Sequence, residues 1–102
     1  MNVQLWLKMA NLVFEFDKKA ESSPQVDRIK TKMQSVLEEA GLFLYNPAGE
    51  KYTETRADLE ANISGNSTTD LYVTDVIKPV VYSDLEGKKT LIQKGIVIVS
   101  GK

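Results

Sequence analysis

Three carboxylates fall within one short stretch, Glu54, Asp58 and Glu60, and by spacing they are the side chains best placed for acid–base or metal chemistry. Such a cluster needs a partner of matched pKa or a hard cation to act. The chain has no histidine and no cysteine. That removes the commonest general base near neutral pH, the thiol nucleophile, and the nitrogen and sulfur donors of zinc sites. No glycine-rich phosphate loop is present either. The three carboxylates are therefore expected to form a solvated surface, and the chain is expected to be no enzyme and to need neither metal nor cofactor. Lys88 and Lys89, adjacent on a turn between strands, offer a positive contact to a partner, with a plain solvated turn as the alternative. Tyr45, Tyr52, Tyr72 and Tyr82 all lie in the second half. They suit either a partly exposed aromatic rim or core packing with a wet hydroxyl.

These groups must be held by elements whose pattern changes near Gly41. Over residues 3–20, Leu5, Met9, Leu12, Phe16 and Ala20 recur at helical spacing, and Trp6, Leu7, Ala10, Val13 and Phe14 widen the apolar surface over most of the circumference. Ser23-Pro24 supplies an N-cap and a first-turn proline for a second helix over residues 24–40. Its narrower stripe is Val26, Ile29, Met33, Val36, Leu37 and Ala40. Gly41 is placed to end it in the left-handed conformation. A four-residue link makes the two helices an antiparallel hairpin.

Beyond Gly41, the block Leu42-Phe43-Leu44-Tyr45 reads as a short strand, and Asn46-Pro47-Ala48-Gly49 as a turn. Residues 56–63 are ambiguous between helix and strand, and residues 64–70 form a polar loop. Two further strand regions follow at 71–82 and 90–100, joined by a reversing turn over 83–88. Pro79 is expected at a sheet edge or on a bulge. The apolar run Val97-Ile98-Val99 predicts a central strand covered on both faces. The fold class is α+β: a two-helix antiparallel hairpin over residues 1–41, then a small, mostly antiparallel β domain over residues 42–102.

The 102 residues include 42% hydrophobic and 26% charged side chains, the proportions of a soluble globular domain. Thirteen basic and fourteen acidic residues leave a net charge of −1, so no basic footprint for nucleic acid exists. No apolar run reaches the roughly 18 residues of a membrane span. The wide apolar surface of the first helix, however, exceeds what one helical neighbour covers. Either the β unit covers the excess, or a second copy packs its hairpin alongside to make a four-helix bundle about a twofold axis. The second arrangement is the expectation.

The order of parts resembles the C-terminal portion of the GrpE family, the nucleotide-exchange factors of DnaK-type chaperones. The residues that carry it are Leu12-Val13-Phe14-Glu15-Phe16-Asp17-Lys18-Lys19-Ala20, Val36-Leu37-Glu38-Glu39-Ala40-Gly41, Pro47-Ala48-Gly49-Glu50 with Tyr52, and Gly95-Ile96-Val97-Ile98-Val99-Ser100. The resemblance implies a cytoplasmic homodimer in which Leu5, Trp6, Met9, Leu12, Val13, Phe16, Ile29, Met33 and Val36 form the bundle interface. It further implies a β head that docks, through Tyr82, Lys88 and Lys89, on a DnaK-type ATPase domain and promotes ADP release. The family's long N-terminal coiled coil has no counterpart in these residues, which leaves a second expectation: a dimeric protein-binding module on the same scaffold with a different partner.

Overall fold

The computed structural model describes residues 2–101, with two helices followed by six strands. Helix α1, Val3–Lys19, starts where the Asn2 side-chain oxygen accepts hydrogen bonds from the backbone N–H groups of Gln4 and Leu5, at 3.0 and 3.3 Å. Those donors have no intrahelical partner, so the cap fixes the first turn. Lys18 and Lys19 occupy the last turn, where positive charge complements the helix dipole. Helix α2, Pro24–Glu39, is capped by Ser23 Oγ, which accepts from Val26 N at 3.1 Å, with Pro24 in the first turn as expected. Gly41 then takes φ +83°, a conformation that a Cβ would penalise, and turns the chain into the first strand.

The strands are β1 (Leu42–Tyr45), β2 (Leu59–Ser64), β3 (Leu71–Lys78), β4 (Val80–Leu85), β5 (Lys88–Gln93) and β6 (Gly95–Gly101). They make two three-stranded sheets, ordered β1-β4-β5 and β2-β6-β3. Three of the four pairings are antiparallel; β2 runs parallel to β6. The class is α+β, a helical hairpin followed by a mostly antiparallel β unit, as the sequence pattern predicts.

Two strand regions differ from that reading. Residues 71–82 are not one interrupted strand: β3 belongs to the second sheet and β4 to the first, with the switch at Pro79. The proline directly follows β3, an edge strand of the second sheet, just past a register shift between Val76 and Lys78. It sits fully buried at the corner between sheets, where no ladder N–H is needed and its carbonyl accepts from Gln93 Nε2 at 2.9 Å. Residues 90–100 divide in the same way at Lys94, into β5 and β6. The reversing turn is also tighter than residues 83–88. Glu86 and Gly87, at φ +56° and +77°, form a two-residue tip of the primed type, whose twist suits a hairpin. Strand β6 is central, but Val97 and Val99 are fully buried while Ile96 and Ile98 are only half-buried, so one face is covered and the other is not.

Two apolar clusters meet at β4. Val81 faces the helices with Ala10, Val13, Leu37 and Leu42. Its neighbour Val80 faces the second sheet, with Phe14, Leu59, Leu71, Val73, Val76, Val97 and Val99. Period-two alternation thus lets one strand serve two cores. Polar ties fix α1 to the β unit at two heights: Asn11 to Gln93, and Lys18, whose Nζ donates to Val76 O at 2.8 Å and lies 2.8 Å from Asp75 Oδ1. The molecule is flat, 41 × 35 × 19 Å, with a radius of gyration of 14.8 Å. A rounded domain of this length would have about 13 Å.

Candidate functional site

Two surfaces gather the residues singled out above. The first is the outer face of the hairpin. The β unit covers one side of α1, burying Ala10, Val13 and Phe14, and leaves the other bare. Leu5, Met9, Leu12 and Phe16 are 61, 49, 58 and 40% exposed, and Ile29 and Val36 on α2 are 49 and 52% exposed. These six side chains lie at helical spacing on two antiparallel helices. Among the residues expected at a bundle interface, Trp6 and Met33 are half-buried against the inner cluster, and Val13 lies inside it. The uncovered set is therefore narrower than the expected one and lacks Val13. Full burial of one such side chain is worth roughly 1.5–3 kcal/mol, so leaving six in water is a substantial unmet driving force.

The second surface is the face of β1-β4-β5 turned away from the helices. Antiparallel register places Phe43 opposite Tyr82, and Tyr82 opposite Leu91. The tight tip at Glu86-Gly87 starts β5 at Lys88, so that Lys89 pairs with Asp84 and falls on the Tyr82 face. Lys89 Nζ lies 4.8 Å from the centroid of the Tyr82 ring, within cation–π range. By strand alternation Lys88 points to the other face. The structure thus joins two of the three expected contact residues and separates the third.

Beside this pair, Tyr45, Arg56 and Asp58 complete the wall of a shallow cleft of about 380 Å³. Its edge is a polar clamp that the sequence pattern does not announce. Arg56 donates to Asp58 through Nε and Nη2, at 3.1 and 2.8 Å, and through Nη1 to Glu50 Oε1 at 3.0 Å. The Tyr45 hydroxyl donates to the other oxygen of Glu50. These bonds tie the irregular segment between β1 and β2 to the sheet. The Arg56 guanidinium lowers the Asp58 pKa from its ordinary 3.8, and the hydrogen bond to Glu50 raises that of Tyr45 above 10.0. The only advance sign was the close spacing of Arg56 and Asp58, because Glu50 is brought in by the turn at Gly49.

The carboxylates considered for chemistry are not assembled into one site. Asp58 is held by Arg56, Glu54 lines a cleft on the core side of β2, and Glu60 projects from the opposite face of that strand. Among the described residues, no group of His, Cys, Asp or Glu side chains is arranged to hold a metal ion. Of the four tyrosines, Tyr45 and Tyr82 share the cleft above, and Tyr82, like Tyr52, also packs against the inner cluster of the second sheet. Among the described residues no helix is long and apolar enough to cross a membrane. No protein-family model, curated protein or solved structure matches the chain.

Proposed function

We propose that the protein is a GrpE-like nucleotide-exchange factor: a cytoplasmic homodimer whose β unit docks on the ATPase domain of a DnaK-type chaperone and promotes ADP release. One observation carries the reading, the bare apolar stripe Leu5, Met9, Leu12 and Phe16 with Ile29 and Val36. Six large apolar side chains left 40–61% exposed on the two helices of so flat a molecule call for a partner surface. A second copy satisfies it by symmetry, since a twofold axis beside the hairpin sets the same stripe against itself and completes a four-helix bundle. The β unit is then carried at the side of the bundle, with Lys89 exposed beside the half-buried ring of Tyr82. Aromatic and cationic groups of this kind are favoured at protein interfaces.

The mechanism is differential binding. A head that contacts the ATPase domain more strongly with its nucleotide cleft open shifts the population toward the open form, and ADP leaves faster. The reading depends first on the assembly, because the bundle holds the head in place. The direct functional test is release of a fluorescent ADP analogue from the DnaK-type chaperone of the same organism. Acceleration that saturates with added protein supports the proposal, and an unchanged release rate at saturating concentration overturns the exchange function.

A further inference from the structure

Among the described residues, three strands have one backbone edge without a ladder partner: β1 and β5 in the first sheet, and β2 in the second. The outer edge of β3 is occupied by residues 49–52, through Gly49 N to Val73 O at 2.9 Å, Val73 N to Glu50 O at 2.8 Å and Tyr52 N to Leu71 O at 2.8 Å. An open edge is a template for another strand unless it is shortened, bulged, or guarded by lysine or proline. β1 has only four residues and soon meets the buried Pro47. β5 begins with Lys88 and Lys89, and its pairing with β4 carries a register shift. β2 has none of these guards. Its six residues run in unbroken register with β6, and Glu60 is its single charge.

The edge also has a cleft beside it. Ile63 is 52% exposed and, with Ala61, Tyr52 and Leu71, forms the apolar part of a depression of about 270 Å³. Glu54 and Asp70 stand at its rim, and among the described residues no lysine or arginine lines it.

We propose that the free edge of β2 and this cleft form a docking site for an extended polypeptide segment whose central apolar residue is flanked by lysine or arginine. Main-chain hydrogen bonds to residues 59–64 would hold the segment, as in other cases of strand addition. Because side chains alternate, the central residue enters the cleft beside Ile63, and cations two positions to either side reach Glu54 and Asp70. Glu60, on the opposite face, adds to the preference for a basic segment. The site shares no residue with the helix stripe or with the Tyr82–Lys89 face, so it stands or falls independently of the exchange function.

The test is an amide NMR titration of the full chain with the capped peptide Thr-Lys-Thr-Ile-Thr-Lys-Thr and with its counterpart carrying Glu in place of Lys. Perturbations centred on residues 59–64 with the lysine peptide, and at least about tenfold weaker binding of the glutamate peptide, support the site. Ile63→Lys, at an exposed position, should weaken the lysine peptide by about tenfold or more; Glu54→Lys, outside any strand, reads out the same site if the first variant folds poorly. No perturbation at millimolar peptide, equal binding of both peptides, or perturbation centred on β1 or β5 would overturn it.

Discussion

Asn11 and Gln93 join their side-chain amides in a reciprocal pair, Asn11 Nδ2 to Gln93 Oε1 and Gln93 Nε2 to Asn11 Oδ1, both at 2.9 Å. The pair links the middle of α1 to the end of β5, and Gln93 Nε2 also reaches the carbonyl of the corner residue Pro79. One half-buried glutamine thus connects the helical hairpin, the first sheet and the switch point to the second.

Removing either partner leaves the other's amide with unsatisfied groups in a partly buried place, at a cost of about 1–3 kcal/mol. Gln93→Ala should destabilise more than Asn11→Ala, because it also strands the Pro79 carbonyl. Urea unfolding of the two single variants and the double variant measures this, and a double variant no worse than Gln93→Ala would show that the two losses are shared.

Gly95 marks a second sensitive point. A Cβ built there would lie 2.9 Å from Val80 Cγ2 and 3.0 Å from Leu59 Cδ2, both inside the core. Overpacking of this kind costs typically about 1–3 kcal/mol. Gly95→Ala is therefore expected to lower the thermal midpoint clearly. Gly49→Ala, where the φ is +82° but nothing lies within 4 Å, should lose less, through backbone strain alone. Equal midpoints for the two variants would contradict the packing account.

The Arg56–Asp58 clamp predicts an acid limb. Since the Asp58 pKa is lowered from 3.8 in the folded state, its stabilising effect is fully present above the unfolded value. It drains away as pH falls through the lower folded value. Thermal midpoints of wild type and Asp58→Asn should therefore differ at pH 6, and the difference should shrink as pH is taken below the unfolded value of 3.8. A difference that stays constant across that range would show that the ion pair does not stabilise the fold.

Much of this architecture was legible because it is local. The Ser23-Pro24 restart, the helix end at Gly41 and the strand Leu42–Tyr45 each rest on a few neighbouring residues with strong preferences. The hidden parts are long-range. Nothing in the runs around Pro79 or Lys94 says that the chain changes sheet there, since strand-favouring apolar residues continue on both sides. The parallel partnership of β2 with β6 joins segments far apart in sequence, and β2 itself has helix-favouring residues at its start. The wide apolar surface of α1 was visible, but which side the β unit would cover depended on that unseen topology. At the candidate site, Tyr82 and Lys89 were named in advance. Arg56 was missed because its role comes from Glu50 and Tyr45, which a turn delivers.

For the head, Lys89→Glu replaces the cation over Tyr82 by a like-sized anion on an exposed position. If this face meets the chaperone, the apparent affinity in the ADP-release assay should fall by about tenfold with little change in thermal midpoint, and Lys89→Arg should retain most of it. An unaltered concentration dependence for Lys89→Glu would move the contact elsewhere on the β unit.

The assembly is the central claim, and light scattering on the full chain tests it most directly. At micromolar concentration the account predicts a mass twice the 11.4 kDa of one chain, and a return to 11.4 kDa for Leu5→Glu/Leu12→Glu with the fold intact by circular dichroism. A wild-type mass of 11.4 kDa at every concentration tested would contradict it.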